Sequence, residues 1–155
     1  MIQKDFKERQ MTRNDLKVEW HAGFSVDVAE IDTHQKKMFD LFNELIDLKQ
    51  QKAESKAIAN VITEINDYAK LYFSEEEKIL KQREYPDRDV HAKAHRRFVK
   101  SAISLRREIS EDVNNLSLDD IVSLRDWLIE HIQTNDAMFV PFLRIHRYVQ
   151  DASGK

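Results

Sequence analysis

The chain has 155 residues, enough for one domain with a sizeable core. Its 25 basic and 28 acidic residues give a formal charge of −3, which argues against a dedicated nucleic-acid surface, and the lack of cysteine excludes disulfides and thiolate metal sites. Only two glycines and two prolines, with 34% charged residues and abundant Lys, Glu, Leu, Ile and Ala, favour an all-α protein.

Residues 1–19 are highly charged and carry no clean apolar period, which predicts a surface arm open to a protein partner. No apolar run approaches the roughly 18 residues of a membrane span, and the N-terminal stretch has no apolar signal core. A soluble, cytoplasmic protein is expected. Residues 20–30 read as an extended lead-in that packs Trp20, Phe24 and Val26 on the domain. A first helix is predicted from Ile31 to Gln50, with Ile31, Met38, Leu41, Phe42, Leu45 and Leu48 at helical period and His34 and Gln35 filling a one-turn gap. A second begins after Ser55 as N-cap and runs to Arg83. Its stripe of Ile58, Val61, Ile62, Ile65, Tyr68, Tyr72, Ile79 and Leu80 includes an acid, Glu76. Glu75 and Glu77 are turned about 100° to either side and call for no special role.

Tyr85-Pro86-Asp87 marks a turn, with Asp87 or Asp89 as the next N-cap. The third helix, 88–111, buries His91, His95, Phe98, Ala102, Leu105 and Ile109. Ser117 to Asp120 resembles a capping box for a fourth helix carrying Ile121, Leu124, Trp127, Leu128, His131 and Ile132, which Pro141 is expected to break or kink. The tail after it reads as a short amphipathic helix. Short connections imply an up-down-up-down four-helix bundle over 20–141, between the arm (1–19) and a tail (142–155).

Antiparallel alternation brings the polar core positions to one end: Gln35 from the start of the first helix, Tyr72 and Glu76 from the end of the second, His91 and His95 from the start of the third, His131 and Asp136 from the end of the fourth. Histidine and carboxylate in an apolar stripe are costly unless something binds them. Three imidazoles (His91, His95, His131) and two carboxylates (Glu76, Asp136) suit iron, manganese, zinc or cobalt better than magnesium or calcium. Asp136 lies five residues after His131, about 140° out of line on an α-helix, so it needs a local helix distortion to join the set.

The lead-in FSVDVAEID with Trp20, the segment YFSEEEKIL, the YP turn, HAKAH, and WLIEHIQTND resemble the hemerythrin family in its bacterial form, in order and spacing, over about residues 20–140. The resemblance implies a four-helix bundle with a carboxylate-bridged non-haem di-iron centre that binds O2 reversibly. It assigns His91, His95 and His131 to one iron and makes Glu76 and Asp136 the bridges. The second iron of the family takes two histidines, at motifs I-D-x-Q-H and H-F-x-x-E-E. This chain has Ile31-Asp32-Thr33-His34-Gln35 and Tyr72-Phe73-Ser74-Glu75-Glu76-Glu77, so both ligands are replaced.

Three arrangements follow, in order of expectation: one metal on the three histidines and one or both carboxylates; two metals with Tyr72 as phenolate and Gln35 as carbonyl ligand; or His34 brought in by a distorted first helix. As non-ligands, Tyr72 would hydrogen-bond Glu76 or Asp136, and Gln35 would support the site from outside. The functional expectation is a hemerythrin-like iron protein, with one or two irons and manganese or zinc as other occupants. It would bind or sense O2 or NO, as a binding protein rather than an enzyme and not as an ordinary oxygen carrier. The alternatives are a mononuclear iron or manganese enzyme handling superoxide or peroxide, and an interaction module with a structural or degenerate metal site.

Overall fold

The computed structural model describes residues 16–136 and 138–145. Four long helices account for most of them: α1 (Ala29–Gln50), α2 (Ser55–Gln82), α3 (Arg88–Glu111) and α4 (Leu118–His131). Successive helices pack on one another and α1 closes against α4, so the all-α, up-down-up-down bundle is as expected from the sequence. Among the described residues no helix is long and apolar enough to cross a membrane.

The apolar stripes form the core. Met38, Phe42 and Leu45 of α1, Ile58, Ile62 and Ile65 of α2, Phe98 and Ala102 of α3, and Ile121 and Leu128 of α4 are all buried. Each large side chain among them contributes about 1.5–3 kcal/mol by leaving water. The same stripes continue into the polar end of the bundle, where Gln35, Glu76, His91, His95, His131 and Asp136 are buried too.

Both tight turns use one device. Lys52 and Glu84 take the left-handed conformation just past α1 and α2, with φ of 55° and 56°. The next residues donate back into the helix, Ala53 N to Leu48 O and Tyr85 N to Leu80 O, each at 2.9 Å. This is the Schellman closure that glycine usually supplies. Ser55 is the first residue of α2 rather than its cap; Glu54 precedes it and makes no side-chain capping bond. Asp87 takes the N-cap position of α3, also without a side-chain bond. Ser117 and Asp120 form the capping box of α4, with both bonds at 3.1 Å.

Helix α1 starts two residues earlier than periodicity suggested, because Asp32 ties the lead-in to it. Its carboxylate accepts from Ser25 Oγ at 2.5 Å and from Val26 N at 2.9 Å. Ahead of this, Leu16 is buried, and Val18 exchanges two 2.8 Å hydrogen bonds with the Asn43 side chain. Residues 1–15 of the predicted arm and 146–155 of the tail lie outside the described residues.

The break in the fourth helix falls earlier than Pro141. After His131 the chain makes a π-helical turn, Ile132–Asp136, and residues 138–145 are α-helical again. Pro141 lies within that last stretch, which continues past it to residue 145. Phe139, buried there, lies edge-on to His91 and to Tyr85.

Candidate metal centre

His91 and His95 are one turn apart at the start of α3, and Glu76 faces them from the end of α2. His131 closes α4. The π turn then resolves the misfit of Asp136. Its i→i+5 repeat sets Asp136 over His131, where an α-helix would have carried it aside. Asp136 Oδ1 lies 3.0 Å from His91 Nε2 and 3.2 Å from His131 Nε2.

One donor atom each from Glu76, His91, His95 and His131 falls within 4.8 Å of the others, and all four side chains are buried. The spacings within the group are informative. His95 Nε2 is 3.0 Å from His131 Nε2 and 3.1 Å from Glu76 Oε1, and Glu76 Oε1 is also in close contact with His91 Nε2. Metal–nitrogen and metal–oxygen bonds of about 2.1 Å place donors at right angles about 3.0 Å apart and opposite donors about 4.2 Å apart. The Glu76–His131 separation is 4.0 Å. Four donor pairs therefore have the spacing of edges, and Glu76–His131 that of a diagonal, in a six-coordinate sphere. Glu76 Oε2 is buried without a hydrogen-bond partner, and Asp136 Oδ1 faces two imidazole nitrogens, as expected of oxygens that serve a cation. The residues fit a divalent or trivalent metal ion of the iron, manganese or zinc kind.

Charge in the group responds accordingly. Burial alone would raise the Glu76 carboxyl, but the imidazoles of His131, His91 and His95 around it hold it well below the usual range. Burial would lower His91, yet its bonds to Asp136 and Glu76 raise it to about 9. His131 is raised by the same two carboxylates against its own burial.

The support around the imidazoles includes two residues that sequence reasoning passed over. Glu77, set aside as needing no role, has Oε2 2.9 Å from His95 Nδ1. This bond fixes the tautomer that leaves Nε2 free to ligate. Phe73 stacks on His95 with ring centroids 4.0 Å apart and planes 3° from parallel. Trp127 stacks in the same way on His131, at 5.0 Å and 9°. The run of three glutamates was the available signal for Glu77. A residue one position from one candidate ligand can still reach the second nitrogen of another on a neighbouring helix.

The opposite side of the same bundle end is built differently. Gln35 is fully buried, and its Oε1 accepts from Trp20 Nε1 at 2.8 Å. An indole N–H can only donate, so the atom it meets must be the carbonyl oxygen. The amide nitrogen, which cannot ligate, is turned inward and has no hydrogen-bond partner. Tyr72 is fully buried and donates to Asp136 Oδ2 at 3.4 Å. Burial, then the charges of Asp136 and Glu76, push its hydroxyl well above the usual phenol range, so it stays neutral. His34 has both ring nitrogens engaged elsewhere, Nδ1 with Tyr68 Oη at 2.7 Å and Nε2 with Glu75 Oε2 at 2.5 Å. It touches the site only by stacking on Tyr72.

An all-α bundle with a buried histidine–carboxylate cluster at one end defines a class of helical metal-binding proteins. Comparison with known proteins narrows it. The hemerythrin HHE cation binding domain matches residues 26–143. Bacteriohemerythrin from Pseudomonas aeruginosa is 32% identical over 127 residues, covering 81% of this chain and 80% of its own. Myohemerythrin from Theromyzon tessulatum is 28% identical and covers 76% of this chain and 87% of its own. A solved crystal structure of a leucine-to-phenylalanine mutant superposes with a TM-score of 0.74 at 25% identity, covering 80% of this chain and 95% of its own. The chain belongs to the hemerythrin family.

Proposed function

We propose that this protein holds a single non-haem iron on His91, His95, His131, Glu76 and Asp136, and that it binds or senses a small diatomic ligand, O2 or NO, without being an ordinary oxygen carrier. The observation that carries the single-ion reading is the direction of the Trp20–Gln35 bond. It engages the only Gln35 atom able to ligate and leaves the N–H side facing the interior. Tyr72 adds to it: a neutral hydroxyl donating to Asp136 Oδ2 turns its O–H toward the oxygen that a second ion would need.

Five protein donors leave one place free on an ion that takes six, and iron there supplies reversible binding of O2 or NO together with a change of oxidation state. The chain's own residues do the rest. Glu77 holds His95 in one tautomer, Phe73 and Trp127 hold two imidazole planes, and Phe139 covers His91.

A second reading, turnover of superoxide or peroxide, is favoured by one feature. Tyr72 sets an O–H donor against a ligand carboxylate, where it could deliver a proton. Iron content per chain, with visible spectra of the reduced protein before and after O2 or NO, tests the proposal. About one iron and a reversible spectral change support it. Two irons overturn the single-ion centre. Rapid peroxide or superoxide consumption lost in His131→Ala favours the enzyme.

A further inference from the structure

On the far side of His95 from the cluster, α2 and α3 enclose a groove of about 630 Å³. Phe73, Val99 and Ile103 make its apolar centre, and Ile103 is 40% exposed. Lys70, Arg96, Lys100 and Arg107 surround it, and all four are exposed. None of these four cations makes an ion pair among the described residues. The groove's one acid is Glu77, and its carboxylate is given to His95. A chain of net charge −3 thus carries one unpaired basic patch around an apolar centre.

Apolar centre and charged rim are the anatomy of a protein interface. Four unanswered cations select a partner with an acidic face and speed its arrival. The position of the patch says what the partner would do there. His95 and the parallel Phe73 ring form the floor, and a single imidazole separates the groove from the cluster, with Nδ1 on the Glu77 side and Nε2 inside.

We propose that this groove docks an acidic one-electron redox protein, which reduces the metal through His95. One electron leaves the donor and converts the trivalent ion to the divalent one; no bond forms or breaks. The inference rests on the iron reading above for the electron step, but not for docking. Interfaces for electron transfer are small and short-lived, which suits a groove of this size.

The test uses an acidic flavodoxin as donor. Binding to the as-purified protein is measured by calorimetry at low ionic strength, and reduction by the flavodoxin hydroquinone is followed by stopped flow. In Lys100→Glu/Arg107→Glu, binding and the reduction rate are expected to fall by roughly tenfold or more, as they should in wild type at high salt. Lys100→Arg/Arg107→Lys should restore both, and reduction by a neutral small quinol should be the same in all three. Equal binding by wild type and the charge-reversed variant overturns the docking site. Binding without faster reduction of an iron-loaded protein overturns the electron route. Binding at the groove by a protein that elemental analysis shows to be iron-free overturns the iron reading and the electron route and leaves the docking surface intact.

Discussion

The two halves of the polar bundle end share one backbone frame and differ in what their side chains offer. On one side, His91, His95, His131, Glu76 and Asp136 present lone pairs to a common point. On the other, Gln35 and Tyr72 present N–H and O–H. A lone pair invites a cation, whereas an N–H or O–H stands where a cation would and satisfies the same carboxylate. The helices need not move for the site to change from two ions to one. On the proposed single-ion reading, replacing two side chains and orienting one amide from outside is enough.

The largest effect is expected from removing a lone pair on the ligating side. His95→Ala or Glu76→Ala should weaken iron binding by more than roughly 100-fold, read by metal content after dialysis against a weak chelator. Next comes an attempt to erase the difference between the halves. Gln35→His with Tyr72→His supplies two imidazoles on the opposite side, and iron content should rise from about one to about two per chain. A value that stays at one would mean that more than ligand identity closes that half.

The metal-free protein should expose the same asymmetry through pH. Although burial favours neutral His91, Asp136 and Glu76 raise it from 6.5 to about 9 in the folded chain. Folding therefore favours its protonated form. That contribution is complete below pH 6.5 and is lost as pH rises through about 9. It is of the order of 2–3 kcal/mol, so the melting temperature of iron-free protein should drop by roughly 5–10 °C across this window. Iron loading should show the opposite slope, because the ion must displace the protons.

The smallest effects belong to the non-ligating side. Tyr72→Phe removes the donor to Asp136 and should cost about 1–2 kcal/mol by chemical denaturation, with iron content unchanged. Trp20→Phe frees the Gln35 amide to turn over and should cost about 1 kcal/mol. If Trp20→Phe raised the iron content, the amide direction would be what excludes the second ion.

Much of this was legible in the chain. The stripe of α3 named His91 and His95, the stripe of α2 named Glu76, and alternation of helix direction brought them together with His131 before any coordinates. The replaced positions 35 and 72 were legible as departures from the family motifs. The orientation of the Gln35 amide was not, because it is set by Trp20, 15 residues away on a segment without regular period. Glu77 was discounted because a helical wheel describes one helix against an average interior, while His95 approaches from a second helix at an angle. The basic groove was not legible, since nothing in α3 alone shows that Lys70 of α2 completes a ring with Arg96 and Arg107.

The π turn at Ile132–Asp136 makes the fourth helix one residue longer than its α-helical path requires. Everything beyond it, including Phe139 over His91, is indexed to that surplus residue. The same residues wound as plain α-helix would turn each side chain from Asp136 onward by about 100°. Composition, bundle and three histidines would all persist, yet Asp136 would swing away from His131 and the covering phenyl ring would leave its place. The surplus residue and the π turn come as a pair: a chain lacking one of residues 132–135 would keep Asp136 beside His131 only by winding this segment as plain α-helix.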